Sequence, residues 1–117
     1  MAVWSAAELS GSTDGRPVAI SATSSPGTTV HTAATATQVT DWLYCYAANT
    51  ATAARILTLE YGGTASSDQI IVSIPAQDGH YKVMDGMPIK NSLLLRGFAT
   101  AGTGLAVAGY RNRASAT

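Results

Sequence analysis

Between Arg55 and Arg113 the chain alternates apolar runs of strand length with Gly, Pro, Asn and Asp. The runs are RILTLEYGG, DQIIVSIPAQDGHYKVMDGMPI, SLLLRGFA and LAVAGYRNR. This punctuation belongs to an antiparallel all-β domain, in which each strand stops where a residue of special backbone freedom turns the chain. No amphipathic helical pattern of useful length occurs after residue 10. The expected fold class is an all-β antiparallel sandwich, jelly-roll or immunoglobulin-like, of about eight strands. A short N-terminal arm at 1–15 precedes the sandwich domain at 16–117.

In the arm, Ser5 is placed to cap Ala6-Ala7-Glu8-Leu9, with Glu8 at the third position of a capping box. One turn is too short to hold alone, and Gly11 to Gly15 break it, so an extended arm or a single turn is expected. Trp4 has two readings: it folds back on the sandwich, or it anchors the arm on a neighbouring subunit. Arg16 to Thr23 alternates Val18, Ile20 and Ala22 on one face, and Ser24-Ser25-Pro26-Gly27 turns. Thr28 to Ala34 points Val30 inward and Thr29 and His31 outward. Asp41 to Ala48, DWLYCYAA, sets Trp42, Tyr44 and Tyr46 on one face against Leu43, Cys45 and Ala47 on the other. With both faces apolar, this strand is central or meets a partner.

Arg55 to Tyr61 alternates Leu57, Leu59 and Tyr61 against Thr58 and Glu60. A flexible connection spans Gly62 to Asp68. Gln69 to Ile74 turns Ile70, Val72 and Ile74 inward. Gln77-Asp78-Gly79 reads as a hairpin turn into His80 to Met84, and Asp85-Gly86-Met87-Pro88 turns again. Thr100 to Gly104 reads as a hairpin loop joining Leu93–Ala99 to Leu105–Arg113, with a loose ASAT tail.

Charge narrows the function classes. Apolar residues are 46% of the 117 and charged residues 12%, with seven acids balancing seven bases. That is about half the usual charged fraction. Neutrality argues against direct nucleic-acid binding and against a polybasic membrane patch. No stretch approaches the apolar length of a membrane helix, and the start lacks a signal-peptide pattern. Weak charge suits a protein held in an assembly. Cys45 is the one cysteine, expected as a small core hydrophobe, and the lack of disulfides suits a reducing cytosol.

Motifs for chemistry are absent. His31 and His80 have no metal-ligand spacing and are expected as solvated strand-face or turn residues. No Gly-x-Ser-x-Gly elbow occurs, and Gly62-Gly63 lacks the Lys of a phosphate loop. Asp78 and Asp85 are expected to form turns. Arg96, Arg111 and Arg113 are the local basic cluster, either ordinary edge charges or partners for a neighbour's carboxylates. The aromatic row Trp42, Tyr44, Tyr46 serves a core, a protein interface or a glycan platform. The chain is not expected to be an enzyme, and no cofactor is expected.

The serial order of LTLEYGGT, IPAQDG, GMPIKNSLLLRGFA and GYRNR resembles small virion proteins of tailed bacteriophages, over roughly residues 41 to 113. The resemblance implies a β-sandwich with a structural role in the particle. That role is a capsid decoration (cement) protein on the head surface, assembled in the host cytoplasm and partnering the major capsid protein. It implies a homo-oligomer, with a trimer favoured. A head–tail connector or tail component is the alternative within the same particle, and a glycan-binding surface module is the alternative outside it. Trp4, Leu9, Trp42, Tyr44, Tyr46, Arg96, Arg111 and Arg113 are the expected interface residues.

Overall fold

The computed structural model describes residues 2–116, and the side chains of residues 3–115. The described residues form nine strands: β1 Ala2–Glu8, β2 Val18–Ala19, β3 Thr28–Thr32, β4 Val39–Asn49, β5 Arg55–Tyr61, β6 Gln69–Ile74, β7 His80–Ile89, β8 Leu94–Ala99 and β9 Leu105–Ala116. One sheet has the order β1-β9-β4-β7, with β2 also on β9; the other has the order β3-β8-β5-β6. All pairs are antiparallel. From β2 onward, every connection except β5–β6 passes from one sheet to the other. That winding is a jelly roll, two Greek keys folded into two facing sheets. The first sheet is called sheet A below and the second sheet B.

Side-chain alternation builds the core. On β4, Leu43, Cys45 and Ala47 are fully buried while the residues between them are half-exposed. Facing them from sheet B are Leu57, Leu59, Ile74 and Leu95, also fully buried. Each buried Leu or Ile contributes about 1.5–3 kcal/mol relative to exposure. β4 is central, as its two apolar faces imply, and its ladder with β9 is unbroken from Val39–Ser115 to Asn49–Leu105.

Several local expectations are corrected. Residues 2–8 are extended, one of the two forms expected, and not a capped turn; they belong to the sandwich, pairing along the C-terminal half of β9. Val3, Ser5 and Ala7 alternate with Trp4, Ala6 and Glu8, and an already formed β9 offers a ladder that outweighs one marginal helical turn. The same pairing orders Ala114–Ala116, expected as a loose tail; Met1 and Thr117 lie outside the described residues. The strand expected over 16–23 shrinks to Val18–Ala19, although Val18 and Ile20 do face the core. Gln77–Gly79 and Thr100–Gly104 are not hairpin loops, because β6 and β8 lie in sheet B while β7 and β9 lie in sheet A. Gly62 to Asp68 contains a 3-10 turn at Ser66–Asp68, where Asp68 Oδ2 accepts from Ala65 N–H at 3.2 Å.

Asp85-Gly86 is not a turn either. β7 continues through it, and the pairing skips from Tyr44–Asp85 to Leu43–Met87, leaving Gly86 as the extra residue of a bulge. Its φ of 76° suits glycine. Pro88 follows on the same strand, which is tolerated because β7 is an edge.

Candidate partner-docking surface

The outer face of sheet A gathers the aromatic row. On β4, Trp42, Tyr44 and Tyr46 alternate with the buried residues and point away from the core. Opposite them on β9 stand Asn112, Tyr110 and Ala108, and Ala48 faces Ala106. Tyr44 and Tyr110 stack with ring centroids 4.8 Å apart and planes 14° from parallel. Gly86 makes this seat: a Cβ there would lie 3.2 Å from Tyr44 Oη. At the margins, Trp4 on β1 is 58% exposed, and His80 on β7 tilts toward Tyr46 at 6.5 Å. Charge is confined to the rim. Glu8 sits on β1, and Lys82 and Asp85 on β7 stand 3.8 Å apart. The centre, made by β4 and β9, is alanine, tyrosine, tryptophan and asparagine.

A groove of about 460 Å³ opens beside Trp42 at the end of β4. Thr40, Trp42, Tyr61, Pro88, Lys90 and Leu93 line it. Tyr61 Oη donates to the Pro88 carbonyl across it, and burial pushes the Tyr61 hydroxyl pKa up.

The other expected interface residues do not join this face. Leu9 is fully buried in the chain's own core, because Trp4, Ala6 and Glu8 stand on the outer face and the next residue falls on the inner one. The three arginines form no patch. Arg96 is on β8 of sheet B, whereas Arg111 and Arg113 are on β9 of sheet A. Arg111 donates to the Ser5 carbonyl at 3.2 Å. Arg113 is engaged with a carboxylate of its own chain, Asp41: Nε to Oδ1 at 2.5 Å and Nη2 to Oδ2 at 2.9 Å.

That carboxylate belongs to a buried polar cluster that the sequence did not reveal. Strict alternation places His31 outward, but β3 carries a register shift between Thr29 and His31. Val30 and His31 therefore both face inward, exposed 0% and 1%. Ser10 N–H donates to His31 Nδ1 at 3.0 Å, which leaves the proton on Nε2 to donate to Asp41 Oδ2 at 2.8 Å. Burial lowers the His31 pKa, and the charges of Arg113 and Arg111 add to this against the opposing pull of Asp41. Burial alone raises the Asp41 pKa, but the Arg113 and His31 bonds outweigh it and hold the carboxyl below its ordinary range. The cluster ties β3 of sheet B to β4 and β9 of sheet A. Ser10 meets the imidazole through its backbone N–H, while its hydroxyl accepts from Thr32 N–H at 2.6 Å. This is a structural lock, without the hydroxyl–imidazole contact of an activated nucleophile.

Asp78 lies in the β6–β7 turn and accepts from Tyr81 Oη, which raises the Tyr81 pKa. His80 is exposed at a strand end. Cys45 is buried and its thiol pKa is pushed up to about 12. Among the described residues no three His, Cys, Asp or Glu side chains gather as metal ligands. A second apolar patch, on the outer face of sheet B, was also missed. Ile56 and Ile71 are 45% and 64% exposed around Thr58. The doubled Ile70-Ile71 was its one sequence signal, since alternation turns only one of the two inward.

Comparison of the chain with protein-family models, with curated proteins and with solved structures finds no match.

Proposed function

We propose that the chain is a structural virion protein of a tailed bacteriophage, seated on the capsid surface as a decoration protein that bridges major capsid subunits. The resemblance of residues 41–113 to small virion proteins supports the phage assignment. The observation that carries the docking role is the uncharged centre of sheet A's outer face. A flat array of alanines and half-exposed aromatic rings buries apolar area without stripping water from a charge. Many copies on a regular shell need only weak individual contacts. The role involves no catalysis and no cofactor, and fits assembly in a host cytoplasm.

Copy number in purified virions, measured by mass spectrometry against the major capsid protein, tests the proposal. A ratio near one per capsid subunit, together with lower heat resistance of heads stripped of the protein, is the expected result. About six or twelve copies in a ring would place it at the head–tail junction or tail instead. Absence from virions would overturn both placements. A second reading, a glycan-binding module, is favoured by Trp42 and Tyr61 meeting at one groove. Binding on a glycan array that is lost in Trp42→Ala would support it.

A further inference from the structure

We infer that β1 is a self-pairing edge, and that a second copy of this chain adds its own β1 antiparallel to it about a two-fold axis through Ser5. β1 ends sheet A, so one side of Ala2–Glu8 faces no strand among the described residues. An open edge offers a row of backbone N–H and C=O groups to any extended chain. The other edges are obstructed. β7 carries the Gly86 bulge, Pro88 and Lys82. β3 has five residues and a register shift. β6 is closed by Asp68 before it and Pro75 after it. Within β1 there is no bulge, proline or lysine, and its one charge is Glu8 at the end.

The side chains identify the occupant as a second copy. Centring the pair on Ser5 aligns all seven residues. Trp4 then stands opposite Ala6 of the other copy, Val3 opposite Ala7, and Ser5 opposite itself. Trp4 and Val3 are the large exposed side chains of the strand, 58% and 49% exposed on opposite faces of the sheet. In this register each meets an alanine, so large fits small on both faces. The two Glu8 residues fall at opposite ends of the pair, and the two Arg111 groups that come near the axis are each already bonded within their own chain to Ser5. Arg111 lies over the axis position, bonded to Ser5 O and Oγ at 3.2 and 3.4 Å, and holds the strand in place before pairing. The product is one continuous sheet with the order β7-β4-β9-β1-β1-β9-β4-β7, its aromatic faces on the same side. A two-fold contact of this kind closes on itself and does not grow into a filament. It gives a dimer rather than the trimer expected for a decoration protein, and it stands independently of the virion role.

The test is the mass of the purified full chain by light scattering at micromolar concentration, with variants. The wild type is expected at twice the 12.0 kDa of one chain. Ala6→Trp sets two indoles against each other and is expected to halve that mass while the chain stays folded, its melting temperature no longer rising with protein concentration. Trp4→Ala combined with Ala6→Trp exchanges large and small, and is expected to restore the dimer. Ser5→Cys is expected to cross-link as a dimer under mild oxidation, since directly opposed Cβ atoms lie about 4.5–5.5 Å apart. Cys45 is buried and does not compete. A monomeric or trimeric wild type, or a dimer indifferent to Ala6→Trp, would overturn the inference.

Discussion

Asp41 is the residue on which most of the polar order depends. It is fully buried, yet it holds a bidentate arginine and a neutral histidine. Removing one partner of a buried charge pair costs about 3–5 kcal/mol. Asp41→Asn is expected near the lower end, about 3 kcal/mol, because Arg113 is 30% exposed and can turn to water. Urea unfolding measures it. The cluster also sets the acid response. The folded-state pKa of His31 lies below its ordinary 6.5, so as pH falls the unfolded chain takes up that proton first. The stability due to neutral His31 is complete above pH 6.5 and is lost progressively below it. Protonation turns Nδ1 into a donor facing the Ser10 N–H. Asp41, also depressed, adds a second loss below its ordinary 3.8. Unfolding free energy against pH is expected to show both limbs in the wild type, and only the lower one in His31→Gln. None of this was legible in the sequence. The inward turn of His31 depends on a bulge in Thr29-Val30-His31, where no glycine marks it, and its partners lie 10 and 21 residues away.

At the scale of the element, alternation was a reliable guide wherever a strand paired with a neighbour in unbroken register. The inward faces of β4, β5 and β6 came out as the sequence pattern implied. It failed where backbone geometry depended on pairing. Asp-Gly announces a residue of positive φ, and Gly79 and Gly86 both have one, at 76° each. The dipeptide does not tell whether that residue ends a strand or bulges within it. For Gly86 the decision is made by the ladder with β4, which resumes at Met87. Gly86→Ala is therefore expected to destabilise by about 1–2 kcal/mol for the left-handed backbone. The added methyl also presses on the stacked Tyr44 ring. Gly86→Asn should lose less of the backbone term, since asparagine visits this region more easily. Denaturant midpoints of the two variants, compared with the wild type, check the order.

For the whole molecule, the two-sheet architecture was readable from strand count and turn spacing, but its winding was not. Loops that resemble hairpin turns cross between sheets, because in a jelly roll consecutive strands face one another rather than pair. The winding places β4 beside the late strand β9 and gives sheet A an outer face drawn from both ends of the chain. On that face Ala108 stands opposite Tyr46 near the centre, away from the rim charges. If this face docks on a capsid, Ala108→Glu brings a carboxylate into the uncharged centre of the contact. The cost of desolvating it is expected to exceed about 1.4 kcal/mol per site, a tenfold loss of affinity. Multivalent seating multiplies that loss across a bound oligomer. Folding stability should change by no more than about 0.5 kcal/mol, because the position faces solvent in the isolated chain. Ile71→Glu places the same charge on the outer face of sheet B and serves as the paired variant. Cosedimentation with undecorated heads is expected to show binding lost in Ala108→Glu and kept in Ile71→Glu. The reverse pattern would move the docking surface to the isoleucine patch of sheet B.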